Sequence, residues 1–224
     1  MSTPIPSEIL PIFPLTGSLL LPGNFLPLNI FEPRYRNLVE DALEGPRLIG
    51  MIQPVVPRND NRPGLEADPD PPDLYDIGCA GLIEESERQE DGRYLILLKG
   101  LTRFHIGEEL PLHRGYRRVR ASYEDFRKDF VEPQQELDPS RLLAALEAFA
   151  ERQQLDFDME RLQLMPGVTL LNGLAVALPF APGEKQALLE ADSVEEREEL
   201  LMSLMGMGFD EISENRYYSP PSVN

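Results

Sequence analysis

Cysteine, histidine, lysine and tryptophan are all scarce in this chain. There is one cysteine, Cys79; two histidines, His105 and His113; three lysines, Lys99, Lys128 and Lys185; and no tryptophan. A single thiol excludes an intramolecular disulfide and any multi-cysteine metal cluster. Two imidazoles leave too few nitrogens for a structural zinc site, so no metal is expected. No lysine follows a glycine, which excludes the loop that cradles nucleotide phosphates. A Gly-x-Ser-x-Gly elbow and a His-Glu-x-x-His helix are also missing, and neither a cofactor nor a catalytic residue is expected.

Long apolar runs are absent too. No stretch reaches the roughly 18 residues that span a bilayer. The segment before Glu8 has no basic residue ahead of its apolar positions and is broken by prolines, unlike a secretory signal. The expected location is the cytoplasm, with no membrane partner. Basic charge is likewise short: 21 Lys and Arg against 39 Asp and Glu, a formal charge of −18 and a pI of about 4.5. That balance argues against coating a phosphate backbone or anionic lipid, since both rely on Lys and Arg.

What is present is apolar material, proline and carboxylate. The 224 residues are 42% hydrophobic, enough for a packed core. With 22 prolines and 16 glycines, many loops and interrupted strands are expected. Charge and periodicity divide the chain. Residues 1–120 hold 18 acidic and 13 basic residues, whereas residues 121–224 hold 21 and 8. Short strands and turns dominate before about residue 125, and helical spacing dominates after about 138.

In the first part, Ile12–Leu15 reads as an edge-like strand because of Pro14, and Leu26–Phe31 as a second strand. Pro33 suits the first turn of a helix. Tyr35, Leu38, Val39, Ala42 and Leu43 form its apolar face, and Gly45 its stop. Leu48–Ile52 and Gly78–Glu84 are strand candidates. Between them, residues 54–76, with six prolines and five aspartates, read as a polar loop. Asp91-Gly92 predicts a type I′ hairpin whose second arm, Tyr94–Leu98, is apolar on both faces and so central. In the stretch Arg103–Ile106, Phe104 and Ile106 are expected inside and Arg103 and His105 outside. Residues 117–126 alternate as a further strand.

In the second part, Asp138-Pro139 opens a helix with Leu142, Leu143, Leu146, Phe149 and Ala150 inward. Residues 168–178 form a buried helix. Pro182 starts another, with Ala187, Leu188 and Leu189 as its core. Ser193 and Glu196 form a capping box for a last helix buried through Leu200, Leu201, Leu204 and Met205.

The polar clusters admit ordinary readings. Glu84, Glu85 and Glu87 are expected at a solvated strand end, and Glu195, Glu196, Glu198 and Glu199 on a solvated helix face. Calcium at Asp68, Asp70 and Asp73 would lack the EF-hand pattern. Cys79 reads as small apolar filler. The one basic run supplies Arg114, Arg117, Arg118 and Arg120 around Tyr116, a pattern that can hold phosphate and base. Against nucleic acid, Arg117 and Arg120 fall on opposite strand faces, and Glu124 and Asp125 follow. Salt bridges to the acidic second part are the expected use of these arginines.

One set of motifs carries more than composition does. Pro14-Leu15, then Leu21-Pro22-Gly23, then Leu26-Pro27-Leu28-Asn29-Ile30-Phe31-Glu32-Pro33-Arg34-Tyr35-Arg36 resembles the opening of the Lon protease N-terminal domain. Gly78-Cys79-Ala80-Gly81, Gly100-Leu101-Thr102-Arg103-Phe104 and Lys185–Glu190 with Arg197 and Leu200-Leu201 follow in the family's order. The resemblance covers residues 9–205. It implies an α+β fold: a β-rich, PUA-like pseudo-barrel over residues 1–130, a helical bundle over 131–212 and a flexible tail over 213–224.

The resemblance also implies a function. In Lon proteases this domain helps to recognise substrate proteins, and the ATPase and protease domains lie further along. A stand-alone, non-enzymatic substrate-binding module is therefore expected, a monomer or weak dimer. Its partners would be unfolded or partly folded polypeptides and a protease or chaperone. Phe25, Phe31 and Tyr35 would line an apolar groove between barrel and bundle, and Arg34 or Arg103 would grip a peptide carbonyl or carboxylate. RNA binding through Arg114, Arg117, Arg118 and Arg120 is the alternative that a PUA-like fold suggests.

Overall fold

The computed structural model describes residues 7–55, 72–130 and 137–214, with side chains through residue 206. Most of the 54–76 loop, including Asp68 and Asp70, lies outside the described residues, as do residues 215–224 of the expected tail. The chain divides into two compact units, Met1–Gln134 and Gln135–Asn224.

Six strands form the sheet of the first unit: β1 (Ile9–Pro14), β2 (Phe25–Ile30), β3 (Leu48–Ile52), β4 (Ile77–Arg88), β5 (Tyr94–His113) and β6 (Tyr116–Ser122). Their order is β2-β5-β4-β3-β1-β6, and β6 pairs back onto β5. Five strands therefore close on themselves, and β2 stands outside the circuit on β5. All pairs are antiparallel except β1 with β3. Closure corrects the edge reading of β1, which lies between β3 and β6 despite Pro11 and Pro14. The two stretches read as Tyr94–Leu98 and Arg103–Ile106 are one 20-residue strand, β5. It serves β2 and β4 with its first half and β4 and β6 with its second.

Alternating apolar positions fill the closed circuit: Leu10, Ile12, Leu48, Ile52, Phe104 and Val119 are buried together. Phe104 needs glycine on its neighbours. A Cβ on Gly78 would lie 2.7 Å from the Phe104 ring, and one on Gly50 would lie 3.0 Å from it. Helix α1 (Pro33–Glu44) starts at Pro33, buries Tyr35, Leu38, Val39 and Ala42 as the spacing requires, and stops at Gly45. It packs on β1 and β6.

Two hairpin turns differ from expectation. Only Gly92 of the Asp91-Gly92 pair has positive φ (81°). Gln89 N–H donates to Arg93 O at 2.8 Å, so the loop is a three-residue one in which Gly92 takes the left-handed place. The type I′ signature falls at Arg114 (φ 47°) and Gly115 (φ 90°), between β5 and β6. Arg114 tolerates that conformation while its guanidinium binds Asn37, Glu40 and Asp41 of α1. After β6 the expected strand gives way to two 3₁₀ turns, Glu124–Phe130, kinked at Phe126.

The second unit is helical: α2 (Ser140–Gln153), α3 (Met159–Gln163), α4 (Gly167–Ala177), α5 (Pro182–Glu190) and α6 (Val194–Glu214). Asp138 Oδ1 accepts the Ser140 N–H at 3.0 Å. Ser193 Oγ accepts the Glu196 N–H at 3.1 Å, while Glu196 reaches back to Asp192 N rather than to Ser193. Leu142, Leu146, Phe149, Leu171, Leu188, Leu201 and Met205 form the core.

Two readings need correcting in this unit. In α5, Lys185 and Gln186 are buried beside Leu188 and Leu189, while Ala187 is only half-buried. In α6, Glu198 is buried rather than solvated. It lies three residues before Leu201 and seven before Met205, on the inward stripe. Arg197 crosses the unit, donating to Leu188 O at 2.8 Å and to Asn172 Oδ1 at 3.2 Å. α3 buries no side chain, so it has no periodic signal to read.

Candidate functional site

The first half of β5 carries β2 on one side and the second half of β4 on the other. Register sets their shared faces. Phe25, Pro27 and Asn29 lie opposite Lys99, Leu97 and Leu95, and Leu97 and Leu95 lie opposite Glu85 and Glu87. The alternate positions Ile30, Tyr94, Ile96, Leu98 and Ile83 are buried. The other face is open to solvent: Phe25 is 50% exposed and Leu95 44%. The strand read as apolar on both faces, Tyr94–Leu98, thus carries an exposed leucine on one of them. The strand is central in its pairing, yet among the described residues one of its faces is only partly covered.

Among the described residues neither outer edge of this three-stranded wing has a strand partner. Gly100 N–H donates to Asn24 O at 2.8 Å. The two-residue alternation of an antiparallel ladder then turns the backbone groups of Phe25, Pro27 and Asn29 away from β5. Pro27, which has no N–H, thus falls where the edge has no partner. On the far side β3 pairs with β4 only as far as Leu82. Arg47 closes that pairing, its Nε donating to Ile83 O at 2.8 Å.

The residues expected to bind polypeptide are not gathered in one groove. Phe25 opens β2, and Phe31, 45% exposed, follows its end. Six residues of strand separate them by about 20 Å. Tyr35 is buried, its ring 4.2 Å from that of Phe13. Burial pushes its hydroxyl up to about 12, with Glu32 adding to the rise and the Arg34 cation working against it. Arg34 lies over the Tyr35 ring and pairs with Glu32 at 2.9 Å. Arg103, expected outside, is buried: Nε and Nη2 meet Asp129 Oδ2 and Oδ1 at 3.0 Å each. Its guanidinium anchors the 3₁₀ segment instead of facing a ligand, because burial without that carboxylate would strand a charge.

The arginines of the basic run are committed within the first unit, not to the acidic second part. Arg114 binds Glu40 and Asp41, Arg117 binds Glu109, and Arg120 binds Glu8 and Glu108. Arg118 donates to Pro111 O at 3.2 Å. Asp41 also accepts the Tyr116 hydroxyl at 2.7 Å. Burial would raise the Asp41 carboxyl, but Tyr116 and Arg114 together hold it below its ordinary range. Burial and that same bond push Tyr116 upward.

The remaining candidates are plain. His105 stacks on Phe126 and meets Asp125 at 3.2 Å, and Cys79 is buried within β4. Among the described residues no cluster of three metal-ligating side chains occurs, and no helix is long and apolar enough to cross a membrane. A depression of about 580 Å³ is lined by Glu8, Ala121, Ser122, Tyr123, Glu124, Arg127 and Phe130. Tyr123 is tied there to Ser7 O at 3.1 Å.

A closed mixed sheet with an uncovered wing, joined in one chain to a helical unit, defines an α+β protein. Comparison with known proteins places it further. The family model for the ATP-dependent protease La (LON) substrate-binding domain matches residues 9–206, and the chain belongs to that family. Lon protease of Dictyoglomus thermophilum is 37% identical over 103 residues, covering 46% of this chain and 12% of its own length. Lon protease 2 of Sorangium cellulosum is 28% identical over 219 residues, 89% of this chain and 25% of its own. The chain thus spans a quarter or less of these two relatives. The crystal structure of a Lon N-terminal domain protein from Xanthomonas campestris matches at a TM-score of 0.57 and 28% identity, covering 88% of this chain and 98% of that one. The N-terminal domain of Mycobacterium avium complex Lon protease matches at 0.59 with 17% identity over the same shares, a likeness of fold.

Proposed function

We propose that this chain is a non-catalytic polypeptide-binding module that holds unfolded or partly folded segments on the outer face of β2, β5 and β4. The observation that carries the reading is an apolar row of exposed Phe25 and Leu95 with half-buried Leu97 between them, set on a sheet whose outer edges have no strand partner among the described residues, in a chain of a substrate-binding-domain family. Phe25 is the central anchor, and Phe31 extends the surface past the end of β2. Arg34 borders Phe31 from the start of α1. A protease or chaperone acting on the same clients is the partner this reading entails.

A reduced, carboxymethylated model protein should bind at micromolar concentration in fluorescence anisotropy. Phe25→Asp and Leu95→Asp, each with an unchanged circular dichroism spectrum, should weaken it by roughly tenfold, the effect of removing one interface anchor. Absence of binding, or equal binding by both variants, overturns the reading.

A further inference from the structure

The charge on this face is one-sided. Along β4 a bulge between Ile83 and Glu85 brings Glu84 and Glu85 beside the apolar row. Lys99 answers Glu84: its Nζ lies 3.9 Å from Glu84 Oε1 and 5.9 Å from the centre of the Phe25 ring. Glu85 and Glu87 are exposed and have no cation at ion-pair distance among the described residues. They stand directly opposite Leu97 and Leu95.

An occupant of the apolar row must therefore contend with two carboxylates along its side. A neutral segment laid there removes water from them and offers nothing in return. An acidic segment is repelled, whereas Lys or Arg supplies the missing charge and can lay its aliphatic stem on the leucines. Glu85 and Glu87 are two residues apart on one strand, about 7 Å, which is the spacing of side chains on one face of any extended chain. Lys99, held between an aromatic ring and a glutamate, already shows the arrangement one step along the sheet.

Building on the polypeptide-binding reading above, we infer that this face selects extended apolar segments carrying Lys or Arg at alternate positions. Their apolar side chains rest on Phe25, Leu97 and Leu95, and their cations meet Glu85 and Glu87.

The test uses three labelled peptides with the same apolar residues and Lys, Ser or Glu at the alternate positions, titrated with the full chain by fluorescence anisotropy. The Lys peptide is expected to bind at least roughly tenfold more tightly than the Ser peptide at low salt. That advantage should shrink in about 1 M salt, where charges are screened within roughly 3 Å. Glu85→Lys with Glu87→Lys should transfer the preference to the Glu peptide. Glu147→Lys with Glu151→Lys, an equal charge change on the exposed side of α2, should leave the order unchanged and so separate the local carboxylates from the net charge of the chain. Equal binding of Lys and Ser peptides, or an equal effect of the two double variants, overturns the selectivity and leaves polypeptide binding standing. Failure of all three peptides to bind overturns both.

Discussion

Arg103 of β5 and Asp129 of the 3₁₀ segment form a two-pronged ion pair with both side chains under a tenth exposed, and the Arg103 N–H donates to the same carboxylate at 2.9 Å. The pair fixes the segment after β6 to the barrel, with Phe126 packed against the guanidinium. Asp129→Ala leaves a buried guanidinium without its carboxylate and should lower stability by about 3–5 kcal/mol in urea denaturation. Arg103→Met with Asp129→Leu, which removes both charges, should cost clearly less. A loss under about 1 kcal/mol for Asp129→Ala would show that water reaches the site and the pair is not structural.

Asp41 predicts an acid limb. Its carboxyl sits below the ordinary 3.8 because Tyr116 and Arg114 outweigh the opposing effect of burial. A depressed carboxylate contributes stability that is complete above the unfolded pKa and fades as pH falls through the folded one. The stability difference between wild type and Asp41→Asn should be constant near neutrality and shrink below about pH 4. A difference that stays level into strong acid would contradict the ion-pair assignment.

Lys185 predicts the alkaline counterpart. It is buried, its Nζ donates to Val176 O at 3.0 Å, and burial lowers it from the ordinary 10.5. The unfolded chain then binds more protons at pH values between the folded and unfolded pKa, so stability rises with pH across that window. Relative to Lys185→Met, wild type should gain stability as pH climbs toward 10.5. Parallel profiles for the two proteins would refute the shift.

Two glycines should respond in opposite directions to alanine. A Cβ on Gly100 would lie 2.1 Å from Leu21 O, so the chain must move, and a loss of about 1–3 kcal/mol or more is expected. Gly173, within α4, has nothing within 4 Å of its Cβ position. There alanine should add up to about 1 kcal/mol through helix propensity. Thermal denaturation of the two variants side by side decides both.

The sequence by itself determined whatever follows from short-range spacing. Pro33, Tyr35, Leu38, Val39, Ala42 and Gly45 specify α1 with both ends, because a helix face repeats within four residues. Asp138, Pro182 and Ser193 mark the starts of α2, α5 and α6, since caps are local. The Phe31–Arg36 block identified the family for the same reason: it is contiguous. Phe25 was legible as a candidate, but not the face it belongs to.

Tertiary structure decided what depends on partners distant in the chain. Closure of the sheet through β5 and β6 turned β1 from an edge into an interior strand, and strand pattern alone does not name neighbours. Arg103 alternates like an outward residue, and only Asp129, 26 positions away, makes its burial affordable. Arg114, Arg117 and Arg120 found carboxylates in α1, β5 and the N-terminal segment rather than in the acidic second part, because pairing follows proximity and not the charge of a whole region. The open face has the same origin. Leu95 and Leu97 lie on a strand that reads as central, yet Leu95 is exposed and Leu97 only half-buried, and the register that sets Glu85 and Glu87 beside them exists only once β4 and β5 are joined.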